Sequence, residues 1–167
     1  NFPDLLIIQG AYQFSADPPF VPGAEGAGTI VALGDGVAEF QMGQRVAAVA
    51  PHGAFAERWA VEATAVVRIP DDVSSAIAAV STMTYGTSYH ALAQRARLAP
   101  GETLLVLGAA GGVGSAAVEL GKAMGATVIA GASTEDKLAF CRDLGADATI
   151  NTVEDDMRTR IKELTGG

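Results

Sequence analysis

Gly108-Ala109-Ala110-Gly111-Gly112-Val113-Gly114 follows the apolar run Leu104-Leu105-Val106-Leu107 and leads into a helical pattern from residue 115 to 124. The chemistry this spacing allows is the binding of a dinucleotide's pyrophosphate. Glycine has no Cβ, so Gly111 and Gly112 let main-chain N–H groups face an anion at a helix N-terminus. Gly108, Ala110 and Val113 complete the turn, and Gly114 allows the helix to pack closely on the strand before it. The spacing is G-x-x-G-x-x-G rather than the commoner G-x-G-x-x-G, so the context has to carry the assignment.

That context is a series of alternating strands and helices. Beyond Gly125-Ala126, the sequence predicts a second strand over residues 127–130, then a helix opened by Ser133-Thr134-Glu135-Asp136 and running to Leu144. Gly145-Ala146 ends that helix, and a short third strand is expected over 148–151. A β-α-β-α-β order with glycine at each helix exit reads as the first half of a doubly wound parallel sheet, and so as an α/β fold.

Cofactor choice turns on the end of the second strand. An NAD-binding protein commonly has Asp or Glu there, about 20 residues past the glycine turn, to hold the ribose 2′-hydroxyl. Here the run is Ala130-Gly131-Ala132-Ser133, with no carboxylate to repel a 2′-phosphate. Ser133 can donate a hydrogen bond, and Lys137 stands one helical turn further on with a positive charge. NADPH is therefore expected over NADH. The competing reading makes Ser133 or Thr134 a helix cap and Lys137 a solvated surface charge, with Glu135 and Asp136 weakening the local field.

Upstream of Pro100-Gly101, β-prone runs fall at residues 26–33, 45–50, 54–61 and 64–69. Gly34-Asp35-Gly36, Met42-Gly43-Gln44 and Pro51-His52-Gly53 separate them as turns. This spacing predicts a compact β-barrel-like module. Helices are expected over 75–80 and 88–97, and a short one over 2–10 with proline in its first turn, an acid near its positive end and glycine as its stop. Hydrophobic residues make up 49% of the chain and charged ones 18%, enough for a core but without a run long enough to cross a bilayer. The net charge of −8 argues against a nucleic-acid partner. Cys141 is the one cysteine, which excludes an internal disulfide and a cysteine metal cluster and favours a buried small apolar residue in a reduced, cytoplasmic setting. His52 and His90 stand alone in a turn and on an Ala/Leu helix, and both are read as structural.

Six motifs in order resemble the medium-chain dehydrogenase/reductase superfamily, and within it the zinc-independent quinone oxidoreductase branch. They are Asn1-Phe2-Pro3-Asp4, Pro22-Gly23-Ala24-Glu25-Gly26-Ala27-Gly28, Gly34-Asp35-Gly36-Val37 with Gly43-Gln44-Arg45-Val46, Gly53-Ala54-Phe55-Ala56-Glu57, Thr84-Tyr85-Gly86-Thr87-Ser88-Tyr89, and Ala109 to Gly114. The resemblance implies a partial GroES-like catalytic domain over 1–74, connecting helices over 75–100, and the first half of a Rossmann domain over 101–167. It also implies that opening strands, the rest of the Rossmann sheet and a C-terminal return are outside this chain, which would leave a sheet edge exposed beyond residues 148–151. A full-length homodimer is the family's usual state.

The resemblance bears on the chemistry as well. Zinc-dependent relatives draw three ligands from Cys, His and carboxylates. This chain has Asn1 at the position of the first, Ala24 at that of the second, and Ser81, Thr82 and Met83 in the region of the third. No metal is expected. A hydride acceptor must then be activated by hydrogen bonds, which suits a small-molecule quinone or α,β-unsaturated carbonyl. By resemblance, Asn1 and Tyr12 face the substrate as catalytic residues, with Tyr12 a hydrogen-bond or proton donor. Thr87 resembles the position that binds the nicotinamide carboxamide; its alternative is an N-cap for the helix over 88–97. Reduction of an enoyl thioester, or NADPH binding with little catalysis, fits the same residues.

Overall fold

The computed structural model describes all 167 residues and divides into two compact units, Asn1–Met83 and Thr84–Gly167. The division falls within one helix, Ser75–Tyr89. No helix is long and apolar enough to cross a membrane.

In the first unit, helix α1 (Phe2–Ile8) starts with proline in its first turn and stops before Gly10, whose φ of +65° an L side chain rarely adopts. Strands β1 (Glu25–Thr29), β2 (Arg45–Val49) and β3 (Val66–Arg68) form an antiparallel sheet in that order, with Gly26 opposite Ala48 and Ala47 opposite Val67. Ala47, Ile69 and Ala78 make its small core, with Ala27 and Val73 packed against them. Arg45 ties β2 to the next turn by donating to the carbonyl oxygens of Pro70, Asp71 and Val73.

The strand expected over 54–61 does not form. Gly53, Ala54 and Phe55 donate instead to the carbonyls of Val21, Gly23 and Pro22 at 2.8, 3.0 and 2.9 Å. Gly53 has φ +109° and lies so close to Trp59 that a Cβ on it would be 2.5 Å from the indole nitrogen. The apolar residues of this segment wrap a turn and do not extend. The two helices expected over 75–80 and 88–97 are continuous: α2 (Ser75–Tyr89) passes without a break into a π-helical stretch, His90–Ala96. Gly86 inside α2 weakens the helix but does not end it.

The second unit is the predicted β-α-β-α-β series. Strands β4 (Thr103–Leu107), β5 (Thr127–Ala132) and β6 (Ala148–Asn151) pair in parallel in the order β4-β5-β6, with Leu107 level with Gly131 and Ala132 level with Asn151. Helices α3 (Gly112–Ala123) and α4 (Glu135–Asp143) make the crossovers. Within this sheet β5 is central and β4 and β6 are its outer strands. Val106, Ala109, Val118, Val128, Ala130 and Cys141 pack together in the core. Cys141 is fully buried, and that burial raises its thiol pKa, as the reading of a small apolar residue requires. A further helix, α5 (Met157–Thr165), goes beyond the sequence expectations; Asp156 caps it by accepting from the Thr159 N–H at 2.8 Å, and Gly166 at φ +77° ends it.

Candidate functional site

The glycine turn connects β4 to α3 and is built from backbone contacts. Gly108 takes φ +62°, and the Gly111 N–H closes the turn on the Gly108 carbonyl at 2.9 Å. The first helical bond of α3 runs from the Ser115 N–H to the Gly111 carbonyl at 2.7 Å, so the N–H groups of Gly112, Val113 and Gly114 stand ahead of it. Gly111 is the N-cap and supplies no side chain to satisfy them. Three donors at the positive end of a twelve-residue helix make a cradle for an anion. The helix begins three residues earlier than its sequence pattern suggests, because the second half of the glycine run is already helical.

Glycine is required here for packing too. A Cβ on Gly114 would lie 2.3 Å from the Gly108 carbonyl oxygen and 2.8 Å from the Ala109 Cα, both of them backbone atoms. On Gly112 it would meet the Thr84 methyl at 3.2 Å. Ala109 is fully buried and donates its N–H to the Gly131 carbonyl at 3.0 Å, which joins the glycine turn to the end of β5. Ala110 is half-buried and Val113 is exposed.

Ser133 and Lys137 sit just past β5 on the same C-terminal edge of the sheet. Both are exposed, and the Lys137 Nζ donates to the Ser133 Oγ at 3.3 Å. Of the two acids expected to weaken this charge, Glu135 is paired with Arg142, and Asp136 is exposed beside Lys137. Thr152 donates its N–H to the Ala132 carbonyl at 2.9 Å, and its methyl would be 3.2 Å from a Cβ on Gly131.

Thr87 is exposed and lies in the interior of α2, which removes the reading of it as an N-cap. Its neighbour Ser88, 2% exposed, donates its hydroxyl to the Val113 carbonyl at 2.8 Å and so braces the first turn of α3. Ser88 is not among the sequence expectations; its signal is a hydroxyl four residues after Thr84, which puts both on the α2 face that meets the glycine turn. Tyr85 is bonded to Glu119, and that bond, followed by burial and the carboxylate's charge, raises the phenol pKa above its usual value.

In the first unit, Asn1 opens α1 and bonds in two directions. Its main-chain nitrogen donates to the Asp4 Oδ2 at 2.7 Å and its side-chain Nδ2 to the Glu25 Oε1 at 2.8 Å. The other Glu25 oxygen accepts from the Met83 N–H at 2.7 Å. Asp4 and Glu25 are buried carboxylates, 3% and 8% exposed. Tyr12 is half-buried, packs edge-on to Phe14 with ring centroids 5.4 Å apart, and forms no hydrogen bond to Asn1. Elsewhere in this unit an open hollow of about 660 Å³ is lined by residues that include Phe20, His52, Arg58 and Trp59.

Residues 1–71 match the family described as alcohol dehydrogenase GroES-like domain, and residues 112–167 the one described as zinc-binding dehydrogenase. A quinone oxidoreductase-like protein 2 homolog from Nematostella vectensis is 39% identical over all of this chain and 46% of its own length. The structure of a probable oxidoreductase from Mycobacterium abscessus superposes with a TM-score of 0.94 at 40% identity, over all of this chain and 53% of that one. The Thermus thermophilus quinone oxidoreductase, solved also as its NADPH complex, gives 0.83 at 39% identity, over 98% of this chain and 51% of that one. This chain belongs to the medium-chain dehydrogenase/reductase superfamily, in its quinone oxidoreductase-like branch. The JamJ enoyl reductase is also similar, with a TM-score of 0.89 at 30% identity over all of this chain and 52% of its own. The chain spans about half the length of each of the relatives named here.

The family matched by residues 112–167 carries zinc in its description, and the side chains present do not suit that ion. No three His, Cys, Asp or Glu side chains converge anywhere in the chain. The only thiol is buried in α4. Glu25 is already committed to two nitrogen donors.

Proposed function

We propose that the chain carries the substrate unit and the first cofactor half of an NADPH-dependent oxidoreductase that passes hydride to a quinone or an α,β-unsaturated carbonyl. The observation that supports it most is the junction of two features at one sheet edge: a glycine turn too tight for any side chain at Gly114, and the Ser133–Lys137 pair past β5. Bound NADPH supplies a hydride. Every other role falls to this chain's residues. The N–H groups of Gly112, Val113 and Gly114 hold the pyrophosphate, with Gly108, Ala110 and Gly111 giving the turn its shape. Ser133 and Lys137 hold the 2′-phosphate by a hydroxyl and a charge. Thr87 bonds the nicotinamide carboxamide.

On the acceptor, negative charge develops on the carbonyl oxygen as hydride arrives. The Asn1 amide and the Tyr12 hydroxyl serve that oxygen as donors, with Tyr12 also giving the proton. A second reading, reduction of an enoyl thioester, rests on the likeness to the JamJ enoyl reductase. It needs the same cofactor residues and differs in the acceptor. Association of the whole protein into a homodimer belongs to this proposal as well, and sedimentation of the complete gene product tests it.

The deciding experiment is NADPH oxidation by the complete gene product with 1,4-benzoquinone, 9,10-phenanthrenequinone and crotonyl-CoA, each paired with NADH. Quinone turnover with NADPH alone is the expected result. Turnover only with crotonyl-CoA would favour the thioester reading, and tight NADPH binding with no turnover would leave a nucleotide-binding protein.

A further inference from the structure

Glu25 is a charged residue in a strand otherwise made of Gly, Ala and Thr, and it is buried. Its carboxylate meets two nitrogen donors, Asn1 Nδ2 at one oxygen and the Met83 N–H at the other. An amide's nitrogen and oxygen ends are told apart by their partners, and a carboxylate accepts only, so the end of Asn1 that faces Glu25 is its nitrogen. We infer that Glu25 is a positioning residue that fixes the orientation of the Asn1 amide for the hydride acceptor. The inference rests on the function proposed above, since it gives Asn1 its purpose.

The requirement is for two acceptors side by side. A carboxylate provides both, and its charge strengthens both bonds. Glutamine provides one acceptor and one donor. In a Glu25→Gln variant the new NH₂ must face either the Met83 N–H, which can only donate, or Asn1, which can respond by turning its amide over. Reversing Asn1 satisfies the new glutamine but turns the Asn1 oxygen away from the Asp4 N–H of the capping box, so either response displaces the amide from the orientation it offers the substrate. A residue that only tied β1 to α1 and α2 would lose stability in Glu25→Gln and keep its kcat in the folded enzyme.

The test compares wild type, Glu25→Gln and Glu25→Asp in the complete gene product, reading kcat and KM for 1,4-benzoquinone, NADPH affinity, and the ¹⁵N resonances of the Asn1 side-chain amide. Glu25→Gln should lower kcat about tenfold or more, leave NADPH affinity within about twofold, and shift the Asn1 amide resonances. The paired variant Asn1→Asp/Glu25→Gln should recover the thermal stability lost by Glu25→Gln without recovering kcat. A Glu25→Gln enzyme with wild-type kcat overturns the inference. Should Glu25→Gln fail to fold, Glu25→Asp decides: it keeps both acceptors but withdraws them by one methylene, and wild-type kcat in that variant also overturns it. A wild type inactive with every acceptor would remove the proposed function and this inference together, whereas an active wild type with an indifferent Glu25 removes the inference alone.

Discussion

Gly114 lies against Gly108 so closely that a β-carbon on it would stand 2.3 Å from the Gly108 carbonyl oxygen. The obstructing atoms are backbone, so no rotamer change relieves the contact. Gly114→Ala must therefore push α3 away from the turn after β4. The expected cost is about 1–3 kcal/mol of stability, seen as a lower Tm, together with weaker NADPH binding because the N–H cradle moves with the helix. Gly111→Ala makes the comparison: its Cβ would be 3.3 Å from the same oxygen, and a smaller loss of Tm is expected.

Lys137 has a neutral partner, Ser133, and Glu135, one of the two acids close by in sequence, is tied to Arg142. If the pair holds a 2′-phosphate, Lys137→Ala should weaken NADPH binding about tenfold, roughly 1.4 kcal/mol, and leave NADH affinity unchanged. Titration calorimetry with both nucleotides reads this directly. Equal losses for the two would assign Lys137 to the surface of α4. Ser133→Ala should act in the same direction and more weakly, since it removes a hydrogen bond and not a charge.

The parallel sheet was legible because each of its elements carries its own local signal. Strands β4 to β6 are short apolar runs, and Gly125 and Gly145 with positive φ mark the helix exits where the sequence put them. What failed to be legible depended on contacts distant in sequence. Residues 54–61 have the composition of a strand, yet the N–H groups of Ala54 and Phe55 are claimed by Gly23 and Pro22 and the segment's one tryptophan lies over Gly53. The break expected between two helices near Thr87 is absent because Gly86 lies inside a long helix with an anchored neighbour, Ser88. α5 is not legible in the sequence because its apolar positions are few, and none of them is buried. Among candidate site residues the tight glycine turn could be read, since it is set by local conformation. The contacts of Glu25 and Ser88 could not, since they join residues distant in sequence.

Tyr12 packs on Phe14 and has no hydrogen-bond partner in the chain, so its hydroxyl is uncommitted. Tyr12→Phe keeps the aromatic contact and removes the donor alone. If the hydroxyl serves the acceptor oxygen, kcat should fall by about 10²-fold or more while Tm and NADPH affinity hold. An unchanged kcat would return Tyr12 to the role of a packing residue and leave Asn1 as the acceptor's contact.

Asp147 receives the Lys122 ammonium at 2.7 Å and the Val128 N–H at 2.6 Å, which join α3 and the turn before β6 to β5. The Lys122 bond first, and the Val128 N–H second, hold the carboxyl below its ordinary pKa. A carboxylate with a depressed folded-state pKa adds stability that is fully present above the unfolded value, about 3.9, and is lost as pH falls through the folded value. The group is substantially exposed, so solvent screens the pair and its worth is about 1 kcal/mol or less. Asp147→Asn should therefore lower Tm modestly near neutral pH, and the difference from wild type should shrink as pH falls below about 4. Raising salt at neutral pH should shrink it in the same direction, by screening the ammonium. A Tm difference that persists unchanged into acid would place the contribution in the Val128 hydrogen bond, which asparagine can still accept in part, and not in the ion pair.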